Sequence, residues 1–242
     1  MPELTDTSTY RNLTIGNLHT YIGDSHILQG CSLTIGKECV AVLGRNGMGK
    51  TTLLRSIMGL TPPSSGEIKW KGQEISKKKP HQIASMGIGY VPQGRRLFPS
   101  LSVEEHLTLT YRKGDSKDTW NPERVFEFFP ELADRRKLGG TRLSGGEQQM
   151  LAIGRALVTN PEIILLDEPS EGLSPVAIDR VIEICHELLR ANISILIVEQ
   201  NIHVAEAIAE RIYIILSGKT VYESAASDFL ENSDLRLKYL GI

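Results

Sequence analysis

Leu43-Gly-Arg-Asn-Gly-Met-Gly-Lys-Thr-Thr52 reads G-x-x-x-x-G-K-T, with Gly44, Gly49, Lys50 and Thr51 at the defining places. The run before it, Glu38-Cys-Val-Ala-Val-Leu43, is short, apolar and valine-rich, as a buried strand is. The run after it, Thr51 to Met58, has helical spacing and stops at Gly59. Strand, glycine-rich loop and helix in that order predict an α/β fold built around a phosphate-binding loop.

The residue types suit that chemistry. A triphosphate needs many hydrogen-bond donors and little steric bulk. Gly44, Gly47 and Gly49 let the backbone curl so that successive N–H groups face one concavity. The candidate binding segment therefore runs from Gly44 through Arg45, Asn46, Gly47, Met48 and Gly49 to Lys50, Thr51 and Thr52. The helix starting near Lys50 adds its positive end, and Lys50 adds a point charge for the β- and γ-phosphates. The Thr51 hydroxyl suits Mg2+, which keeps several waters. A glycine-rich turn without a ligand is the competing explanation; spacing, flanks and the Lys-Thr pair together argue against it.

Outward from the loop, Leu13 to Tyr21 and Cys31 to Ile35 alternate loosely about Gly23-Asp24, and Gly66 to Trp70 adds a further strand. These predict an N-terminal antiparallel sheet. Residues up to about Ser8 read as a frayed terminus. Ile88 to Val91 is a short strand closed by Pro92. From about Gly94 to Gly140 the pattern turns helical. Ser102-Val-Glu-Glu105 is a capping box, Asn121-Pro122 starts a second helix, and Pro99, Pro122 and Pro130 mark the joints. Strands at Ile163–Asp167, Ile193–Val198 and Ile212–Leu216 then alternate with helices at Ser144–Val158, Ser174–Leu189 and Ala205–Ala209. That order predicts a mostly parallel sheet with helices on both faces. The whole reads as one 242-residue domain with a helical subdomain at 94–140, whose following helix runs on to about 158.

Hydrophobic content of 40% and charged content of 23% are ordinary for a soluble globular chain. A net charge of −2 gives no electrostatic case for nucleic acid or lipid. No apolar run approaches the ~20 residues of a membrane span, and Met1-Pro-Glu-Leu-Thr-Asp6 lacks the order of a signal peptide. Cys31, Cys39 and Cys185 suit neither zinc nor a disulfide framework, so buried reduced thiols and the cytosol are expected.

Two further motifs carry chemistry. Ile163-Ile-Leu-Leu-Asp-Glu168 is four apolar residues and then two carboxylates. A parallel strand tolerates acids only at its end, which is where ligands bind in open α/β sheets. Asp167 there would hold Mg2+ through water, and Glu168 would orient or activate an attacking water. Leu143-Ser-Gly-Gly-Glu-Gln-Gln149 contains a capping box, Ser144 with Glu147. Capping leaves Gly145 and Gly146 unexplained, since each glycine in a first turn costs about 1 kcal/mol against alanine. Close approach of a phosphate to bare N–H groups explains them better.

Together, Gly44–Thr51, Leu143–Gln149 and Leu166-Asp-Glu-Pro169 resemble the nucleotide-binding subunit of an ABC transporter over nearly the whole chain. The resemblance implies a P-loop NTPase cassette that binds ATP and Mg2+ and hydrolyses ATP. It implies head-to-tail pairing with a second ABC ATPase, a different chain or a second copy. Leu143, Ser144, Gly145, Gly146 and Glu147 would then act on the partner's nucleotide. It also implies two transmembrane permease subunits, which hold the chain at the cytoplasmic face of the inner membrane, and indirectly a periplasmic solute-binding protein. Tyr21 is similar to the aromatic that stacks on adenine, with an ordinary strand tyrosine as the alternative. Gln93 matches the loop glutamine that senses Mg2+ and joins core to helical subdomain. Two positions depart from the pattern: Ser170-Glu-Gly-Leu173 lacks a frequent aspartate, and Gln200 stands where a histidine usually touches the γ-phosphate. Glutamine can donate to a phosphate but cannot become a cation.

Ser25-His-Ile-Leu28, Val91–Arg96, Gly145–Gly154 and Val198-Glu-Gln-Asn201 are similar to the smaller ATPase of branched-chain amino acid importers and to its relative in urea and short-amide importers. Ile68-Lys-Trp70 and Lys79–Gln82 lean toward the latter. A lipopolysaccharide-type export ATPase usually keeps the histidine absent here. A nucleotide-gated subunit with little turnover is opposed by Glu168. A cassette acting on DNA or ribosomes is opposed by the lack of tandem domains and of a basic stripe. A small-molecule kinase has no use for Leu143–Gln149.

Overall fold

The computed structural model describes residues 12–113 and 119–241. The expected frayed start, Met1–Ser8, lies outside them. In chain order the elements are β1 (Leu13–Ile22), β2 (Ser25–Ile35), β3 (Cys39–Leu43), α1 (Lys50–Ile57), β4 (Ser65–Trp70), β5 (Gln73–Glu74), α2 (Pro80–Ser85) and β6 (Ile88–Val91). Then come α3 (Val103–Thr110), α4 (Pro122–Phe128), α5 (Pro130–Ala133), a 3₁₀ turn at Gly140–Arg142, α6 (Gly145–Leu157), β7 (Ile163–Asp167) and α7 (Pro175–Arg190). The chain continues with β8 (Ser194–Glu199), α8 (Ile202–Ile208), β9 (Arg211–Leu216), β10 (Lys219–Ala225), α9 (Ala226–Glu231) and α10 (Ser233–Leu240).

Two sheets form. An antiparallel one has the order β2-β1-β4-β5, and the larger has the order β10-β9-β3-β8-β7-β6. In the larger sheet β9, β3, β8, β7 and β6 run parallel, and β10 closes one edge as an antiparallel hairpin with β9. The α/β architecture with an antiparallel N-terminal sheet is therefore as the pattern predicts.

Every residue of β3, β7 and β8 is buried. Strand parity explains why these runs are apolar on both faces, with polar residues only at strand ends (Ser194, Asp167 and Glu199), because each face of the sheet meets a separate core. Ala41, Leu43, Ile164, Leu166, Ile195 and Ile197 pack with α6, α7 and the helices of 94–140. Val40, Val42, Leu165, Leu196 and Val198 pack with α1 and the antiparallel sheet.

Three boundaries differ from the sequence reading. β2 begins at Ser25, not near Cys31. The β1–β2 register slips between Ile15 and Leu18 and again beside Thr20, and Gly30 sits at φ +96°. Those irregularities break the alternation that would reveal the first half of the strand. α8 begins at Ile202, because Asn201 caps it by accepting from the His203 N–H, and it ends at Ile208, short of Ala209. β10, α9 and α10 follow the Ser217-Gly218 turn, where the reading stops. All three cysteines are free and buried, and burial raises the Cys31 thiol to about 11 and Cys185 to about 12.

Candidate active site

The C-terminal ends of β3, β7 and β8 lie side by side, with Leu43 level with Glu199 and Asp167 level with Val198. Everything charged at the site hangs from those three strand ends, since an acid inside a fully buried strand would be desolvated without a partner.

At the end of β3 the chain turns sharply through the phosphate loop. A Cβ on Gly44 would come within 2.5 Å of the Ile215 carbonyl oxygen, so that position excludes a side chain. Gly49 takes φ +102° immediately before α1, a backbone region that glycine adopts freely. Lys50 is buried, donates to the Gly44 carbonyl at 2.7 Å and pairs with Glu168 at 3.0 Å. Two side chains of the loop face elsewhere. Arg45 donates to the Leu240 carbonyl at the end of α10, and the Met48 sulfur accepts from the Ser217 N–H.

Asp167 closes β7. Its two oxygens accept from the Thr51 hydroxyl and the Tyr90 hydroxyl, both at 2.9 Å. Burial is the larger influence on this carboxyl and raises its pKa, against the lowering effect of those two hydrogen bonds and of the Gln93 N–H. Tyr90 is pushed up as well, by burial first and then by the Asp167 charge. The next residue, Glu168, lies in the left-handed region at φ +47°, a strained conformation for a non-glycine residue. The Gln93 side-chain amide spans from Glu168 at 3.4 Å to Glu171 at 3.0 Å.

These groups wall a cavity of about 380 Å³ that includes Asn46, Lys50, Thr51, Thr52, Gln93 and Glu168. A neighbouring cavity of about 350 Å³ joins Asn46 and Glu168 to Glu199 and Gln200. The structure thus brings the phosphate loop, Gln93, Asp167, Glu168 and Gln200 together from four distant segments. Thr51 and Asp167 supply a hydroxyl and a carboxylate at 2.9 Å separation. Among the described residues no cluster of three or more His, Cys, Asp or Glu could hold a metal alone. That sparse oxygen set fits the implied Mg2+, which takes one or two protein ligands and completes its shell with phosphates and water.

Two expected parts of the site stand apart, the Leu143–Glu147 stretch and Tyr21. Ser144, Gly145, Gly146 and Glu147 line a separate groove of about 460 Å³ with Gly172 and Ser174. Their capping box is formed, with the Ser144 hydroxyl accepting from the Glu147 N–H and Glu147 accepting from the Ser144 N–H at 2.8 Å. Leu143 is buried and anchors the start of α6. Tyr21 is half exposed and stacks flat on His26 at 4.2 Å; it does not line the 380 Å³ cavity, although Ile27 on the adjoining strand does. His203 is exposed on α8, as expected.

Sequence reasoning missed Tyr90 and Glu199. Nothing in the order of residues predicts that Tyr90 reaches Asp167. Glu199 was within reach, because it ends an apolar strand in an acid just as Asp167 does.

Comparison with known proteins agrees with this geometry. A family model described as ABC transporter matches residues 28–171. The high-affinity branched-chain amino acid transport ATP-binding protein BraG of Pseudomonas aeruginosa is 38% identical over 95% of this chain and 99% of its own. A probable branched-chain amino acid transport ATP-binding protein of Archaeoglobus fulgidus is 37% identical over 90% of this chain and 93% of its own. The lipopolysaccharide export ATP-binding protein of Escherichia coli is 33% identical over 95% of this chain and 97% of its own. A crystal structure of an ATP-binding cassette of an ABC transporter in its ADP conformation superposes with a TM-score of 0.80 at 25% identity, covering 97% of this chain and all of that one. With a matched family domain, relatives of this similarity and this arrangement of phosphate loop and carboxylates, the chain belongs to the ATP-hydrolysing, ATP-binding subunits of ABC transporters.

Proposed function

We propose that this chain powers an ABC importer of branched-chain amino acids or related small polar solutes by binding and hydrolysing ATP. The observation that carries the reading is the single cavity in which Lys50, Thr51, Gln93 and Glu168 meet beside Asp167.

The residues act as follows. The N–H groups of the Gly44–Thr52 loop and the start of α1 receive the phosphates. The γ-phosphate competes with Glu168 for Lys50, whose 3.0 Å pairing is the contact it displaces. Glu168, released from the ammonium, orients the attacking water and accepts its proton. Gln200, which lines the adjoining cavity, donates a hydrogen bond to the transferring phosphoryl group without adding charge. Thr51 and Asp167, with Gln93 beside them, would hold Mg2+, which when bound neutralises charge on the β- and γ-oxygens. Tyr21 would stack on the base.

The separate groove at Ser144–Glu147 supports a site finished by two cassettes, each lending its α6 end to the other's ATP. The partner is a second ABC ATPase, and a different chain fits the importer reading better than a second copy. The cassette would be a single domain whose helical subdomain, 94–140, meets two permease subunits at the inner membrane, with a periplasmic binding protein delivering solute. Among the described residues no helix is long and apolar enough to cross a membrane, so attachment through permeases suits it. Similarity to BraG favours branched-chain amino acids over urea or short amides, and Gln200 disfavours the lipopolysaccharide exporter.

Phosphate release by the full chain, alone and in its transporter, tests the reading. Glu168→Gln should lower turnover about 100-fold or more while ATP still binds, and Lys50→Ala should lose binding itself. Uptake of labelled leucine and of labelled urea by cells carrying the Glu168→Gln variant identifies the solute, since only the transported one falls. Unchanged phosphate release would sink the assignment of Glu168.

A further inference from the structure

We propose that Glu199 is a positioning residue for hydrolysis, a buried carboxylate that fixes the loop carrying Glu168 against the loop carrying Gln200. The proposal deepens the reading above and rests on it.

Glu199 ends β8, level with Leu43 on β3, so it stands between the strand feeding the phosphate loop and the strand feeding Glu168. It is 2% exposed. Among the described residues no lysine, arginine or histidine pairs with it. A carboxylate so placed loses hydration that only other donors can replace. Three backbone N–H groups and the Ser170 hydroxyl supply them. One oxygen accepts from the Ser170 N–H at 3.1 Å, and the other accepts from the Gln200 and Asn201 N–H groups, both at 3.1 Å.

Those donors belong to two separate loops. Ser170 lies two residues beyond Glu168, in the tight turn where the Glu171 N–H bonds the Glu168 carbonyl at 3.1 Å. Holding Ser170 therefore holds the strained backbone of Glu168. Gln200 and Asn201 form the link into α8. One side chain thus sets the distance between the proposed base and the proposed phosphate donor, which face the same 350 Å³ cavity. An apolar residue would fill the strand end at lower cost in hydration, and a neutral amide would offer one acceptor oxygen for three N–H groups. The acid is the side chain that can grip both loops.

The test is single-turnover hydrolysis by the full-length chain assembled in its transporter with the second ATPase, with ATP affinity and thermal unfolding measured on the same samples. Glu199→Gln should slow hydrolysis about 10-fold or more, with ATP affinity changed by less than about 3-fold. Because Glu199 acts through its neighbours, Glu199→Gln and Gln200→Ala should be non-additive, the double variant matching the slower single one. Glu199→Asp, which keeps both oxygens on a shorter stem, should recover part of the rate. A rate within about 2-fold of the parent, a loss of affinity equal to the loss of rate, or additive effects would each overturn the proposal. Glu168→Gln is assayed alongside. If that variant turns over normally, the reading of the base has failed, and the failure is separable from the result at Glu199.

Discussion

Asp167 is a carboxylate that the fold holds at a cost. Its folded pKa is raised above the ordinary value of 3.8, chiefly by burial. An acid raised in this way contributes stability that is fully present below the unfolded pKa and is lost as pH rises through the folded one. At neutral pH the ionised side chain is therefore a liability to the fold. Asp167→Asn should unfold a few degrees higher than the parent at pH 7.5 in EDTA. The gap should close as pH falls toward 4, while Mg2+-supported turnover is lost. A parent that is the more stable at pH 7.5 would contradict this. At this scale the sequence was most legible where a residue type has one chemical use. Lys50, Thr51, Asp167 and Glu168 follow from motif and strand end. Arg45 and Met48 sit in the same motif, yet their side chains turn to α10 and to the β9–β10 turn, and neither residue lines the cavity. That could not be read without the C-terminal packing.

The helix α6 packs on the helical subdomain and is proposed to meet the partner's phosphate, and its glycines separate the two. A Cβ on Gly145 meets only ordinary contacts, the nearest being Arg95 at 3.6 Å. Gly145→Ala should therefore fold as stably as the parent, or up to about 1 kcal/mol more so from helix propensity. It should nevertheless lose ATP-driven pairing, because bare N–H groups are what a phosphate approaches. Unaltered pairing would return the stretch to a plain helix cap. Gly154, two turns on, faces the opposite demand. A Cβ there would lie 2.8 Å from a Val125 methyl and 3.3 Å from Leu107, where α6 packs on the helical subdomain. Gly154→Ala should destabilise the chain by about 1–3 kcal/mol by overpacking, read from urea unfolding. Elements with a cap and a clean period were legible in the sequence: α3, α4, α6 and α7 all start where Ser102, Asn121, Ser144 and Ser174 accept from the third N–H onward. The first half of β2 was not, because bulges hide its alternation. Nor was α10, which buries no residue and so carries no apolar stripe.

The whole molecule is two cores on the two faces of one sheet, with chemistry confined to one end of it. Sequence order, strands alternating with helices, was enough for the parallel sheet, and the short gap at Gly23-Asp24 was enough for the antiparallel hairpin. Which strand ends become neighbours was not legible, since Leu43, Asp167 and Glu199 come together only through the order β3-β8-β7. The groove at Ser144–Glu147 opens apart from the cavity of its own chain, and that separation supports the proposed pairing of two cassettes around ATP. Light scattering on Glu168→Gln tests it most directly, with and without Mg-ATP, for the chain alone and mixed with the second ATPase of its transporter. A mass of two cassettes should appear only when ATP is present, in the mixture if the partner is a different chain and in the chain alone if it self-pairs. A mass of one cassette in both samples with ATP bound, or pairing that ignores ATP, would contradict it.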